Sequence, residues 1–209
     1  LPKRVELSSQ DPGYSKEYWN SMAELGWLGL PFNEKDGGFG GNQIDTLVIM
    51  EQFGKGLVLE PFLANVVLGG GAIQIGGSEE LKNEMLSSLI EGSKQLTLAY
   101  AEQQSRFDLE DVATSARQEG DKYIINGQKS MVLNAESSDH IVVVTRTNGG
   151  QVDEEGITLF LVDSDSKGLE RNNFPTVDGL RASEITFDNV EVNSERMIGD
   201  LNKGFIILR

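Results

Sequence analysis

The 209 residues carry 18 basic against 33 acidic side chains, a formal charge of −15, with 38% hydrophobic and 24% charged residues. That balance is ordinary for one large or two small globular domains, and it argues against nucleic acid or an anionic membrane surface as a partner, since both would be repelled. The lack of cysteine excludes disulfides and thiolate chemistry; with no apolar run near the roughly 20 residues of a membrane span and no signal-peptide layout at the N-terminus, a cytoplasmic protein is expected.

From Tyr14 to about Gly92 apolar residues recur at helical spacing. In "YSKEYWNSMAELGWLGL" the positions Tyr14, Tyr18, Met22 and Leu25 step by three or four, with Ser15 as N-cap and Gly26 as stop. "PFNEKDGGFGGNQ" stacks Pro31, Asp36 and four glycines into a loop, and "IDTLVIMEQFGKG" resumes helical spacing. "EPFLANVVLGGGAIQIGGS" is apolar nearly all round, which predicts a buried helix whose glycines 69 to 71 either pack tightly or line a tunnel. "SEELKNEMLSSLIEG" reads as a short surface helix capped by Ser78.

After Gly92 the period changes to two. "KQLTLAYA", "YIINGQKSMVL", "HIVVVTRT", "ITLFLVD" and "SEITFDNVEV" are rich in β-branched and aromatic residues and are bounded by Gly, Asn, Asp or Ser. Helices followed by strands predict an α+β chain, an all-helical N-terminal domain leading into an antiparallel β-barrel or sandwich domain. Neither a P-loop nor a GxGxxG after a strand occurs. "LNKGFIILR" reads as the start of another helix.

Between the first strand and the second lies a polar elbow, "AEQQSRFDLEDVATSA", in which Asp108 and Asp111 have the spacing of a capping box on a short helix. A metal site on Asp108, Glu110 and Asp111 is a weaker reading, and none is expected. Gly37, Gly38, Gly40 and Gly41 lack the Lys-Ser/Thr that a phosphate cradle needs, so they read as a structural loop. His140 reads as a strand-edge residue, and Trp19 and Trp27 as helix packing. Arg181 reads as a loop tether or as a residue near a substrate cavity.

Several of these segments, in this order, resemble the acyl-CoA dehydrogenase family: "LGWLGLPFNEKDGGFGG", "EQFGKG", "YIINGQKSMVLNAESSDHIVVVTRT", "GLRASEITFDNVEV" and "GDLNKGF". The elbow "AYAEQQSRFDLEDVATSAR" is most similar to the small subunits of two-subunit enzymes of the pimeloyl-CoA dehydrogenase type. The resemblance implies a helical N-terminal domain over 1–95, a β middle domain over 96–200, and at 201–209 the start of a C-terminal helical domain that is otherwise absent. It implies FAD as cofactor, an acyl-CoA substrate, α,β-dehydrogenation of the thioester, and a homo- or hetero-oligomer with another subunit of the family. The catalytic glutamate of the family belongs to the C-terminal domain, so no catalytic base is assigned.

In the family the elbow crosses the flavin and the thioester, commonly as Thr-Glu-Pro followed by Gly-Ser-Asp. Here those positions read Ala101, Glu102, Gln103 and then Arg106, Phe107, Asp108. The second flavin strand, often Trp-Ile-Thr-Asn, reads Met131, Val132, Leu133, Asn134. The resemblance therefore implies flavin contacts from Leu98, Tyr100, Ala101, Met131, Val132 and Leu133, and substrate contacts from Glu102, Arg106 and Phe107. It implies either a dehydrogenase subunit acting with a second subunit, or a flavin-free partner that supports an oligomer or holds an acyl-CoA.

Overall fold

The computed structural model describes residues 2–209. Six α-helices lead or close the chain: α1 (Pro2–Ser9), α2 (Lys16–Glu24), α3 (Gln43–Gly56), α4 (Gly71–Gly76), α5 (Glu79–Ile90) and α6 (Phe205–Leu208). Their ends follow local chemistry. Ser15 Oγ accepts from the Tyr18 N–H, Ser78 Oγ from the Leu81 N–H, and Asn42 with Asp45 forms a reciprocal capping box at the start of α3. The expected buried helix over 62–76 is two kinds of helix: Leu63–Gly70 is wound as π-helix and runs straight into α4. Gly69 and Gly70 answer to packing, because a Cβ at Gly70 would stand 2.6 Å from Phe32 Cζ, whereas Gly71 has nothing within 4 Å.

Eight strands follow: β1 (Leu96–Ala99), β2 (Ser115–Glu119), β3 (Lys122–Leu133), β4 (His140–Arg146), β5 (Ile157–Asp163), β6 (Leu169–Pro175), β7 (Arg181–Asn193) and β8 (Met197–Ile198). They form one sheet in the order β6-β7-β3-β2-β4-β5-β8, mostly antiparallel, with β1 added in parallel to β4 and β2 touching β4 in parallel through Ser115 and Arg146. Three strands escape the sequence reading, one of them the two-residue β8. β6, "LERNNFP", is polar and exposed because only β7 pairs with it, and β2 is buried only at Ala116.

The alternation of side chains along β4 and β5 builds two cores. Val142, Val144, Ile157, Leu159 and Leu161 face the helices and join Trp19, Leu28, Phe32, Phe62, Ile73 and Leu89. Ile141, Val143, Phe160 and Val162 face the other way, onto Tyr123, Ile125, Val132, Ile185 and Phe187, where the Tyr123 and Phe160 rings stand 4.7 Å apart. Each fully buried Phe or Leu contributes roughly 1.5–3 kcal/mol, so both cores are substantial. A cross-chain clasp adds to the join: Arg196 donates to Glu84 of α5 at 2.8 Å and to Asp163 at the end of β5 at 3.2 Å, and Asp163 also holds His140 Nδ1 at 2.8 Å. His140 is thus the strand-edge residue expected. Among the described residues no helix is long and apolar enough to cross a membrane.

Candidate functional site

The elbow and the second half of β3 lie side by side. The Ser130 N–H donates to the Ala101 carbonyl at 2.9 Å, Lys129 Nζ to the Tyr100 carbonyl at 3.2 Å, and Thr97 Oγ1 to the Leu133 carbonyl at 2.6 Å. Residues 98–101 and 131–133, more than 30 apart in the chain, are thereby held as one surface.

The pivot of the elbow is Glu102. Its side chain is buried, and its carboxylate accepts from Lys129 Nζ at 2.6 Å, Gln104 Nε2 at 2.7 Å and the N–H groups of Ala113 and Thr114 at 2.9 and 3.0 Å. Burial by itself pushes the Glu102 carboxyl up. The Lys129 charge and the bonds from Lys129, Gln104 and Thr114 outweigh it and hold the carboxyl below the usual carboxylate range. Burial pushes the Lys129 ammonium down to about 8, with Glu102 opposing the drop and Arg146 adding to it. Glu102 ties both ends of the elbow to β3.

The expected short helix at 108–112 does not form. Asp108 N–H closes a turn onto the Ser105 carbonyl, and Asp111, instead of capping, accepts from Gln151 at 2.7 Å and Gln104 at 3.3 Å. Side-chain partners across the loop outcompete the local capping box. Arg106 and Phe107 stand at the tip of the elbow, Arg106 with a left-handed φ of 50° and Phe107 96% exposed.

Beside the elbow β3 is broken by a bulge. Lys129 pairs with Ile185 and Val132 with Ser183, so Ser130 and Met131 together face the single residue Glu184. Glu184 satisfies the extra residues: it accepts from Ser130 Oγ at 2.8 Å and from the Met131 N–H at 3.4 Å. Met131 takes a φ of 53° and throws its side chain outward, 50% exposed, next to Tyr100 at 39%. Val132 points into the second core, so only its backbone is on offer, and Leu98 packs on the helix-facing core.

Leu133 continues the surface into a cavity of about 250 Å³ between the helices and the sheet. Its walls are Tyr14, Phe53, Phe62 and Leu63 from the helical side and Leu133, Asn134, Leu180 and Arg181 from the sheet, with Glu60 among them. Arg181 ties the sheet to the N-terminal segment and lines the cavity: its Nη2 donates to the carbonyls of Ser8 and Gln10 at 3.2 and 3.3 Å. Sequence reasoning gave no weight to Glu60, whose only local signal is a charge inside an apolar run. Glycines 69–71 are not part of this cavity.

Two family models match the chain, the acyl-CoA dehydrogenase N-terminal domain over residues 1–93 and the acyl-CoA dehydrogenase middle domain over residues 97–190. The chain belongs to the acyl-CoA dehydrogenase family. Among acyl-CoA dehydrogenase relatives it is 34% identical to a 3-(aryl)acrylate reductase of Clostridium sporogenes over 92% of this chain and 52% of that protein. It is 30% identical to the caffeyl-CoA reductase-Etf complex subunit CarC of Acetobacterium woodii over 96% of this chain and 53% of the other. An acyl-CoA dehydrogenase structure from Geobacillus kaustophilus superposes with a TM-score of 0.87 at 28% identity, covering 99% of this chain and 56% of that one. The ChsE4-ChsE5 complex of Mycobacterium tuberculosis gives a TM-score of 0.86 at 26% identity, covering 100% and 54%. The chain thus spans about half the length of the acyl-CoA dehydrogenase relatives it matches.

The residues present suit a flavin ring. Tyr100 and Ala101 have backbone N–H groups with no acceptor in the protein among the described residues, whereas the next N–H, of Glu102, is held by Ser105 Oγ at 3.0 Å. Two open main-chain donors beside an outward Met131 and an apolar Leu133 match a flat heterocycle with polar edges. Ala101, Met131 and Leu133 add no side-chain hydrogen bond of their own. Among the described residues no cluster of three or more His, Asp or Glu is placed to hold a metal ion.

Proposed function

We propose that this chain forms the flavin-facing and acyl-facing part of an FAD-dependent acyl-CoA dehydrogenase, working with a second subunit of the same family. The observation that carries the reading is Leu133, which belongs at once to the Met131 surface and to the wall of the apolar cavity. A flavin would be held by the Met131 and Leu133 surface and an acyl chain by the cavity that Leu133 also lines, so that the two would meet at Leu133. FAD would supply the two-electron acceptor. The chain's own residues hold it by the Tyr100 and Ala101 N–H groups, exclude water with Met131 and Leu133, and fix the elbow through Glu102 and Lys129. Glu102 is committed to Lys129 and is not free to take the α-proton.

Purification of the tagged full-length protein from its native cells, followed by identification of the proteins that come with it, tests this. The expected result is co-purification, bound flavin, and bleaching of the flavin absorbance when an acyl-CoA is added. Full activity from this protein alone, with no second subunit bound, would reject the two-subunit arrangement. A second reading rests on the absence of side-chain donors at Ala101, Met131 and Leu133: a flavin-free partner that holds acyl-CoA. Stoichiometric flavin in the isolated protein rejects it.

A further inference from the structure

The chain buries two glutamates in opposite ways. Glu102 is 5% exposed and its oxygens receive four donors, one an ammonium. Glu60 is 8% exposed, yet its carboxylate receives one hydrogen bond, from the Ser15 N–H at 3.2 Å, and has no cationic partner among the described residues. The Ser15 N–H engages Oε1; Oε2 is not sealed in protein, and the residue lines the apolar cavity beside Leu133. A carboxylate removed from bulk water is strongly disfavoured until donors replace its hydration. An amide would serve Ser15 equally well, so the charge is left over for something that enters the cavity.

The charges around that cavity decide what enters. Arg4, outside the cavity lining, donates to the carbonyls of Leu57 and Asp178 at 2.8 and 2.5 Å. The bond from the Thr176 hydroxyl, and to a lesser extent the Arg4 charge, lowers the Asp178 carboxyl. Arg181 lines the wall with Glu60, so two guanidinium and two carboxylate charges lie on or beside the cavity. Asp178 is occupied by the Thr176 hydroxyl and the Leu180 N–H, and Asp11, 3.8 Å from Arg181, lies out in solvent. Tyr14 already accepts from Gln95 at 2.7 Å. The balance is near neutral, which gives an ammonium no net attraction, and a second carboxylate would face Glu60. An uncharged group that donates a proton suits the lining: its proton goes to Glu60, whose Oε2 has no donor among the described residues.

We propose that Glu60 reads an alcohol on the acyl tail, so that the preferred substrates are CoA thioesters whose acyl group carries a hydroxyl. This rests on the reading of the cavity as the acyl slot. Its test is calorimetric titration of the full-length protein, with its partner subunit and flavin, against non-oxidisable thioether analogues of matched length. The analogues end in methyl, hydroxyl, amine or carboxylate.

The hydroxyl analogue is expected to bind about tenfold tighter than the methyl one, as a hydrogen bond to a charged acceptor gives. Glu60→Gln, which keeps the bond to Ser15, is expected to cut that ratio several-fold. Equal binding of the hydroxyl and methyl analogues overturns the proposal and leaves the acyl slot standing. Preference for the amine or the carboxylate also overturns it. So does a Glu60→Gln protein that loses turnover while its hydroxyl-to-methyl ratio stays unchanged, since that would mark a base and not a reader. If no analogue of any tail binds, the slot and the reader fall together.

Discussion

Lys129 Nζ stands 2.6 Å from Glu102 Oε1, with the Lys129 side chain fully sealed from solvent and the Glu102 side chain 3% exposed. The pair spans 27 residues of chain and locks the elbow to β3. Removing one member leaves the other charged and buried. Lys129→Met or Glu102→Gln is expected to cost about 3–5 kcal/mol, and the double replacement less than the sum of the two. Chemical denaturation of the four proteins measures this; strict additivity would mean that the pair does not act as a unit.

The depressed Glu102 carboxyl makes stability depend on acid. The unfolded group titrates near its ordinary value of 4.5 and the folded group below it, so the unfolded state binds the proton first. The contribution is fully present above pH 4.5 and is lost as pH falls from there through the folded value. The carboxylate's share of the stability gap between the parent and Glu102→Gln should therefore shrink below 4.5, whereas Lys129, lowered by burial to about 8 with Glu102 opposing the drop, makes the gap vary on the alkaline side. Thermal unfolding as a function of pH checks this, and a gap that widens on acidification would contradict it.

Met131 holds a left-handed φ at the bulge. Met131→Gly relieves about 1 kcal/mol of backbone strain, while Met131→Val, β-branched at the same φ, should destabilise. The proposed flavin surface makes the opposite demand on the side chain: Met131→Gly should hold flavin more weakly despite the firmer backbone. Stability by denaturation and flavin content after dialysis should move in opposite directions. If flavin retention is unchanged, Met131 is not part of the flavin surface.

Two neighbouring glycines should respond in opposite senses to alanine. Gly70→Ala drives a methyl against Phe32 Cζ and Leu89 Cδ1, 2.6 and 2.9 Å away, and should cost about 1–3 kcal/mol. Gly71→Ala meets nothing within 4 Å at a helical φ of −59° and should stabilise by about 0.5–1 kcal/mol. Melting temperatures of the two variants decide it; equal losses would mean that the helix, and not its contact with Phe32, sets the response.

Short-range patterns determined much of this protein. The caps at Ser15 and Ser78, the helical stripe of α5, and the period-two runs of β3, β4, β5 and β7 depend on residues a few positions apart, where backbone geometry dictates which side chains share a face. The segregation of helices from strands followed from them, and the ordered motifs carried the family. The stripe expected along α2 fails at Tyr18 and Leu25, which are exposed, and the buried face carries Trp19 with Met22. Polar β6 and β2 lacked any apolar alternation, because one is an edge and the other half exposed, and nothing local marked them.

The tertiary structure decided the chemistry. Asp108 and Asp111 have capping-box spacing, yet Gln151, 40 residues on, takes Asp111, because a hydrogen bond is made with the donor that folding brings near. The two glutamates are the clearest case. Nothing within a few residues of Glu102 or Glu60 says that one meets an ammonium and three further donors while the other is left with a single N–H on an apolar cavity. Burial and electrostatic compensation are set by whatever the rest of the chain places around a side chain, and the partners that decide the difference, Lys129 for Glu102 and Ser15 for Glu60, come from segments far apart in sequence.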